Sequence, residues 1–279
     1  NDSKIENKKN TERDADLINQ YIGQRCTSPS EGFSRTGDNL FSSKELDDHI
    51  DRVGRDSTLI NLPRVGILEY DKKGVKFTYN DMLEGKHKHE PIRDYPFKAG
   101  QDPHGAFVEY YPPFKDFTGT TPSNLYRVWV DPFGIDKDKD KISTKDSLMT
   151  IIVYERTNTI TPYHGDIIVG IYVGRPNTMD EANEIVLKIT KYYNAECQYE
   201  SDRGDVKGYF KRAGYYHLLA DEPEAFHRKN LEPNAKRNKG VKMGASPERK
   251  GTAAITLKDW LYKVRKLDEF NNPVFNFNY

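Results

Sequence analysis

The chain has 279 residues, long enough to bury a full core as one large domain or two small ones. Its 43 Lys and Arg balance 43 Asp and Glu, so overall charge selects no partner and any nucleic-acid surface must come from local clustering. No apolar run approaches the length of a membrane span, and the two cysteines, Cys26 and Cys197, are too far apart to form a metal motif, which predicts a reduced, intracellular protein.

The polar opening NDSKIENKKN has no apolar core of a signal peptide and reads as a cut into a longer chain. A helix is expected over 14–23, then a polar connector, CTSPSEGFSRTGDNLF, then a short helix over 42–53 with an acidic first half suited to the helix dipole. Residues 63–79 read as a β-hairpin turning near Asp71 to Gly74, and 105–111 as a further strand. Between them, His87 and His89 have a spacing that can bind a metal, but with His104 they fit a solvated loop better. The Pro-, Gly- and Thr-rich run 112–122 marks the expected boundary between a first region, 1–122, and a second, 123–279.

The second region opens with YRVWVDPFG, 126–134. Alternating aromatic and β-branched residues predict a strand, and Pro132 and Gly134 stop it, leaving Asp131 at its tip. Two more strands are expected at 148–155 and 166–173, then a helix over 178–193 opened by a capping box between Thr178 and Glu181. AECQYESDRGDVKG, 195–208, is then a short strand ending in Glu200. The order strand, strand, strand, helix, strand is that of a ribonuclease H-like fold, and a right-handed crossover lays the Glu200 strand parallel to the Asp131 strand. The fold class expected is therefore α/β, a mixed sheet flanked by helices and preceded by a small helix-plus-hairpin region. A short helix over 206–214, a strand over 215–219 and a closing helix over 256–267 complete the reading.

Paired carboxylates at strand tips make an oxygen-rich site for Mg²⁺ or Mn²⁺, and two such ions can activate water and stabilise the leaving oxygen in phosphodiester hydrolysis. Asp131 is the expected bridging ligand and Glu200 a ligand of one ion. Asp202 and Asp205 supply further oxygens or else pair with Arg203 and Lys207. Asp136, Asp138 and Asp140 alternate with lysines and lack the glycine of an EF-hand, which fits a solvated turn. The one strongly basic stretch, 226–252, predicts a mobile phosphate-binding loop. Its candidate DNA contacts are Lys236, Arg237, Lys239, Lys242, Arg249 and Lys250, joined by Arg203, Lys207, Lys211 and Arg212 beside Glu200. No P-loop motif and no serine or cysteine triad occurs in the sequence.

These segments resemble the C-terminal nuclease half of the large subunit of tailed-phage DNA-packaging terminases. The resemblance is carried by YRVWVDPFG, by DIIVGIYVGRP with its following helix, and by AECQYESDRGDVKGYFKRAG, with CTSPSEGFSRTGDNLF similar to the segment that leaves the ATPase domain. It implies a metal-dependent endonuclease that cuts concatemeric double-stranded DNA in the host cytoplasm, working with an ATPase domain, a small terminase subunit and a portal. Asp131 matches the family's first-strand aspartate and Glu200 its fourth-strand acid. The family's third acid comes from a late helix; Asp259 and Asp268 are poorly placed for it. Either that residue lies beyond Tyr279, or Asp202 or Asp205 takes its place. Two alternatives stand beside this reading. One is a ribonuclease H-like module that holds DNA without cutting it. The other is a resolvase- or transposase-like nuclease that prefers branched or terminal DNA.

Overall fold

The computed structural model describes residues 43–83, 88–134, 146–162, 164–226, 238–243, 247–261, 266–267 and 273–274. The chain divides into two units, one of Asn61–Lys250 and one of Asn1–Ile60 with Gly251–Tyr279. The expected helix over 14–23, the polar connector and the Asp136 to Asp140 run lie outside the described residues.

The unit Asn61–Lys250 is built on one mixed α/β sheet. Its hairpin joins β1 (Arg64–Asp71) to β2 (Gly74–Tyr79), in the register expected from the turn residues. Asp71 accepts a bond from the Lys73 amide at 2.7 Å, and Gly74 takes a φ of +136° that a side chain would resist. The remaining strands are β3 (Phe107–Glu109), β4 (Tyr126–Asp131), β5 (Met149–Glu155), β6 (Ile167–Gly174) and β7 (Glu196–Tyr199), and the sheet order is β2-β1-β3-β6-β5-β4-β7. Every pairing is antiparallel except β4 with β7. The expected boundary at 112–122 therefore falls inside a sheet, since β3 before it and β4 after it share the same seven strands.

Helix α3 (Met179–Tyr192, numbered after α1, Ser43–Arg55, and α2, Ser57–Ile60, in the other unit) links β6 to β7. Its N-terminus is closed by the expected box: the Thr178 hydroxyl accepts from the Glu181 amide, and the Glu181 carboxylate accepts from the Thr178 amide. Past its C-terminus, Asn194 takes a left-handed φ of +47° and donates its side-chain amide to the Thr121 carbonyl. The helix buries Ala182, Val186 and Ile189, which join Val128, Val130, Ile151, Val153, Cys197 and Tyr199 of the strands in one core. The face of the sheet toward α3 is thus filled. On the reverse face of β4 stand Arg127, Trp129 and Asp131, none of them buried.

Two expected elements take a different form. The 215–219 strand is a 3-10 turn at Tyr216–Leu218, because Tyr215 N bonds back to Phe210 O at 2.8 Å and Leu218 N to Tyr215 O at 2.9 Å, coiling the chain under the end of α4 (Val206–Arg212). Only Leu219 reaches the sheet, through a single parallel bridge to Cys197. The closing helix, expected over 256–267, is α5 (Pro247–Leu261); proline at a first helical position is preorganised for that start. Lys266–Leu267 is instead a short strand, β8, paired with β9 (Pro273–Val274). Arg249 and Lys250 accordingly belong to a helix, not a loop. Among the described residues no helix is long and apolar enough to cross a membrane.

Candidate active site

The site grows from the one parallel pair. Register runs from Arg127 with Glu196, through Val128 with Cys197 and Trp129 with Gln198, to Val130 with Tyr199. One step further, the Glu200 amide donates to Val130 O at 2.9 Å, which sets Glu200 beside Asp131 on the open face of the sheet. Pro132 then ends β4, having no amide to offer the ladder. Beyond Glu200, Gly204 turns at φ +64°, and a Cβ there would stand 3.0 Å from the Pro132 ring, so the two strand tips are pressed together.

The two carboxyls stand close enough to act on one another. Partial burial holds the Glu200 carboxyl above the usual carboxylate range, the nearness and negative charge of Asp131 raise it further, and Arg203 pulls the other way. Asp202 adds a smaller upward push. Such a pair stores like-charge repulsion that a bound cation would relieve.

The downstream basic stretch returns to this place. Val241 bridges Glu200, its amide donating to Tyr199 O at 2.8 Å while its carbonyl accepts from Ser201 N at 2.8 Å. Gly240 packs against the Tyr199 ring so closely that a Cβ would meet it at 2.6 Å, and Tyr199 donates its hydroxyl to the Lys239 carbonyl at 3.1 Å. Residues 239–241 therefore extend the sheet beyond β7 and bring Lys242, which is exposed, to the side of Glu200.

The other candidate residues separate into two groups. Asp205 caps α4, accepting from the Gly208 amide at 3.1 Å, and pairs with Arg212 at 2.9 Å. Asp202 is exposed and acts on Glu200 through charge. Neither joins Asp131 and Glu200 in a metal cluster: among the described residues no group of three or more His, Cys, Asp or Glu is arranged to hold an ion. Asp259 lies exposed on α5 and Asp268 outside the described residues.

Among the basic residues, Arg203, Lys207, Lys211, Lys242 and Lys250 are exposed. Three others are occupied within the fold. Arg212 bridges Asp205 and Asp180. Lys239 pairs with Asp221 at 2.9 Å and donates to Leu219 O at 2.6 Å. Arg249 pairs with Glu222 at 2.8 Å and donates to the carbonyls of Lys242 and Phe226. Lys236 and Arg237 lie outside the described residues. In the 88–104 segment, His89 and His104 both bond the Asp102 carboxylate, at 2.7 and 3.1 Å, while His87 lies outside the described residues.

Two features near the tips carried no motif. Arg175, just past β6, is buried, lies 4.4 Å from the centre of the Phe133 ring and bonds the Ser147 carbonyl, so it ties the turn after Asp131 to the approach of β5. Trp129 stands two residues before Asp131 on the same face and is 42 % exposed. The alternation of YRVWVD would have placed it there, had the outward-facing residues been read as well as the inward ones. No protein-family model matches this sequence, and a search of curated proteins gives no significant match.

Proposed function

We propose that the chain is the metal-dependent endonuclease part of a terminase large subunit, with a ribonuclease H-like core formed by β4, β5, β6, α3 and β7. The observation that carries this reading is the placement of Asp131 and Glu200 side by side at the tips of the parallel pair. The order in which β4 lies between β5 and β7 supports it, as does the return of the basic stretch to the edge of β7.

The donor set fits Mg²⁺ or Mn²⁺: two hard carboxylates held together at a cost that a divalent charge offsets. Asp131 and Glu200 are the residues to hold it. When bound, such ions lower the pKa of a coordinated water and stabilise the departing oxygen of a phosphodiester. The protein's own contribution is orientation. The parallel register fixes both carboxyls on one face, while Arg203, Lys207 and Lys242 offer charge to the phosphates of double-stranded DNA. On this reading the ATPase domain, small subunit and portal are its partners and the host cytoplasm its setting.

The lack of a three-acid group among the described residues favours a second reading, a module that holds DNA without cutting it. Nicking of supercoiled plasmid with Mn²⁺, against EDTA, separates the two. The nuclease reading expects nicking that Asp131→Asn and Glu200→Gln each abolish. Retained nicking in both variants removes the pair from the mechanism, and binding without nicking by the unaltered chain favours the second reading.

A further inference from the structure

A second row of side chains lies directly behind the acid pair on the open face of the sheet. Across that face, Ile171 of β6 is partnered with Ile152 of β5, Ile152 with Trp129 of β4, and Trp129 with Gln198 of β7. The corresponding row at the tips is Val173, Thr150, Asp131 and, one step past the β7 register, Glu200. Two residues along a strand advance about 7 Å, so Trp129 stands one row behind the carboxyls and faces the same way.

This row is built unlike a sheet face turned to water. β4 is bordered by strands on both sides, yet it leaves a tryptophan 42 % exposed, while Val128 and Val130 on the reverse face are buried. Ile152 and Ile171, both half-buried, extend the apolar floor beside it. On the other side, the Gln198 side-chain nitrogen is buried with no hydrogen-bond partner, a cost that an acceptor arriving beside Trp129 would recover. A flat indole, an apolar floor and an unspent amide donor, with exposed Arg203 and Lys207 nearby in the chain, suit a nucleobase better than a protein side chain.

Resting on the nuclease reading, the geometry points to Trp129 as a stacking platform for an unpaired nucleobase next to the cut, so that the site engages its double-stranded substrate where the strands are locally melted. A duplex keeps its base faces covered by neighbouring bases, out of reach of an indole on a sheet. An unpaired base presents that face, and stacking on an aromatic tolerates any sequence.

The sequence holds two tryptophans, so the full chain carrying Trp260→Phe reports Trp129 alone. Its fluorescence is titrated in EDTA with a thymidine oligonucleotide and with a duplex of equal length. Quenching by the single strand and little by the duplex is expected. Trp129→Ala should lose about five- to a hundredfold in single-strand affinity and leave duplex affinity unchanged. Trp129→Phe, which keeps an aromatic face, should retain most of it and guards against a folding defect in the alanine variant. Equal quenching by both DNAs, unchanged single-strand affinity in Trp129→Ala, or quenching that rises with protein concentration alone would overturn the inference. Because EDTA silences cleavage, the outcomes separate: Mn²⁺-dependent nicking without quenching removes only the stacking platform, and quenching without nicking removes only the nuclease reading.

Discussion

If Asp131 and Glu200 are held together for a cation, then neutralising either one should stabilise the metal-free protein while removing its response to metal. Two unit charges about 4 Å apart at an effective dielectric of about 20 repel by about 4 kcal/mol. Glu200 is only partly buried and Asp131 is exposed, so solvent screening reduces this to about 1 kcal/mol. Asp131→Asn or Glu200→Gln should therefore raise the melting temperature in EDTA by about 2–4 °C. The unaltered chain should instead gain from metal: at an ion concentration about a hundred times Kd the linkage is worth about 2.7 kcal/mol, or roughly 5–11 °C. Each variant should lose most of that gain. The assay is thermal unfolding followed by circular dichroism, with Mn²⁺ and with EDTA. Variants that melt below the unaltered chain in EDTA, or that gain as much from Mn²⁺, would refute the argument, because both results require carboxylates that are satisfied within the fold.

Glu109 gives a pH prediction away from the site. It is buried, bonded by the Tyr192 hydroxyl at 2.8 Å and paired with Arg64, and burial still holds its carboxyl above the ordinary 4.5. The folded chain thus keeps this proton to higher pH than the unfolded chain. Its contribution is most favourable below the ordinary value and is lost as pH rises through the raised one. Urea midpoints measured upward from about pH 4 should fall for the unaltered chain relative to Glu109→Gln; parallel curves would count against it. Lys239 and Lys242 should separate by function. Lys239→Ala loses two bonds inside the fold and should cost about 1 kcal/mol in stability, whereas Lys242→Ala should leave stability unchanged and lower the salt slope of DNA binding by about 0.9. An unchanged slope for Lys242→Ala would mean that DNA passes elsewhere.

What was legible in the sequence was local. Alternation and a following proline marked β4 and its acidic tip, turn residues marked the β1–β2 hairpin, and a capping box opened α3 on the residue expected. Asp205 carried a readable signal of another kind: an aspartate just ahead of a helix is a preferred N-cap, and that role occupies the carboxylate. Pro247 likewise marked a helix start, but the basic composition around it suggested a loop. What was not legible was non-local. No feature of 64–109 announces that β1 and β3 add to the edge of β6, since the pairing spans a polar segment folded around Asp102. A basic run also does not say which cation faces solvent; Arg249 is spent on Glu222, while neighbouring Lys250 is exposed.

The acid pair and the tryptophan row depend on one quantity, the register of β4 against β7. A slip of one residue would turn Glu200 to the filled face and bring Tyr199 beside Asp131. Two kinds of contact hold that register. At the far end Arg127 pairs with Glu196, both partly exposed, and such pairs contribute about 0–1 kcal/mol. Along the buried face Val128 lies opposite Cys197 and Val130 opposite Tyr199, packed with Val186 and Ile189 of α3; burying one such side chain contributes about 1.5–3 kcal/mol. The core therefore decides the register, and the ion pair only refines it. Carboxylates that repel one another can be kept in contact at the edge of a sheet because the cost of separating them is set by apolar residues one and three positions away.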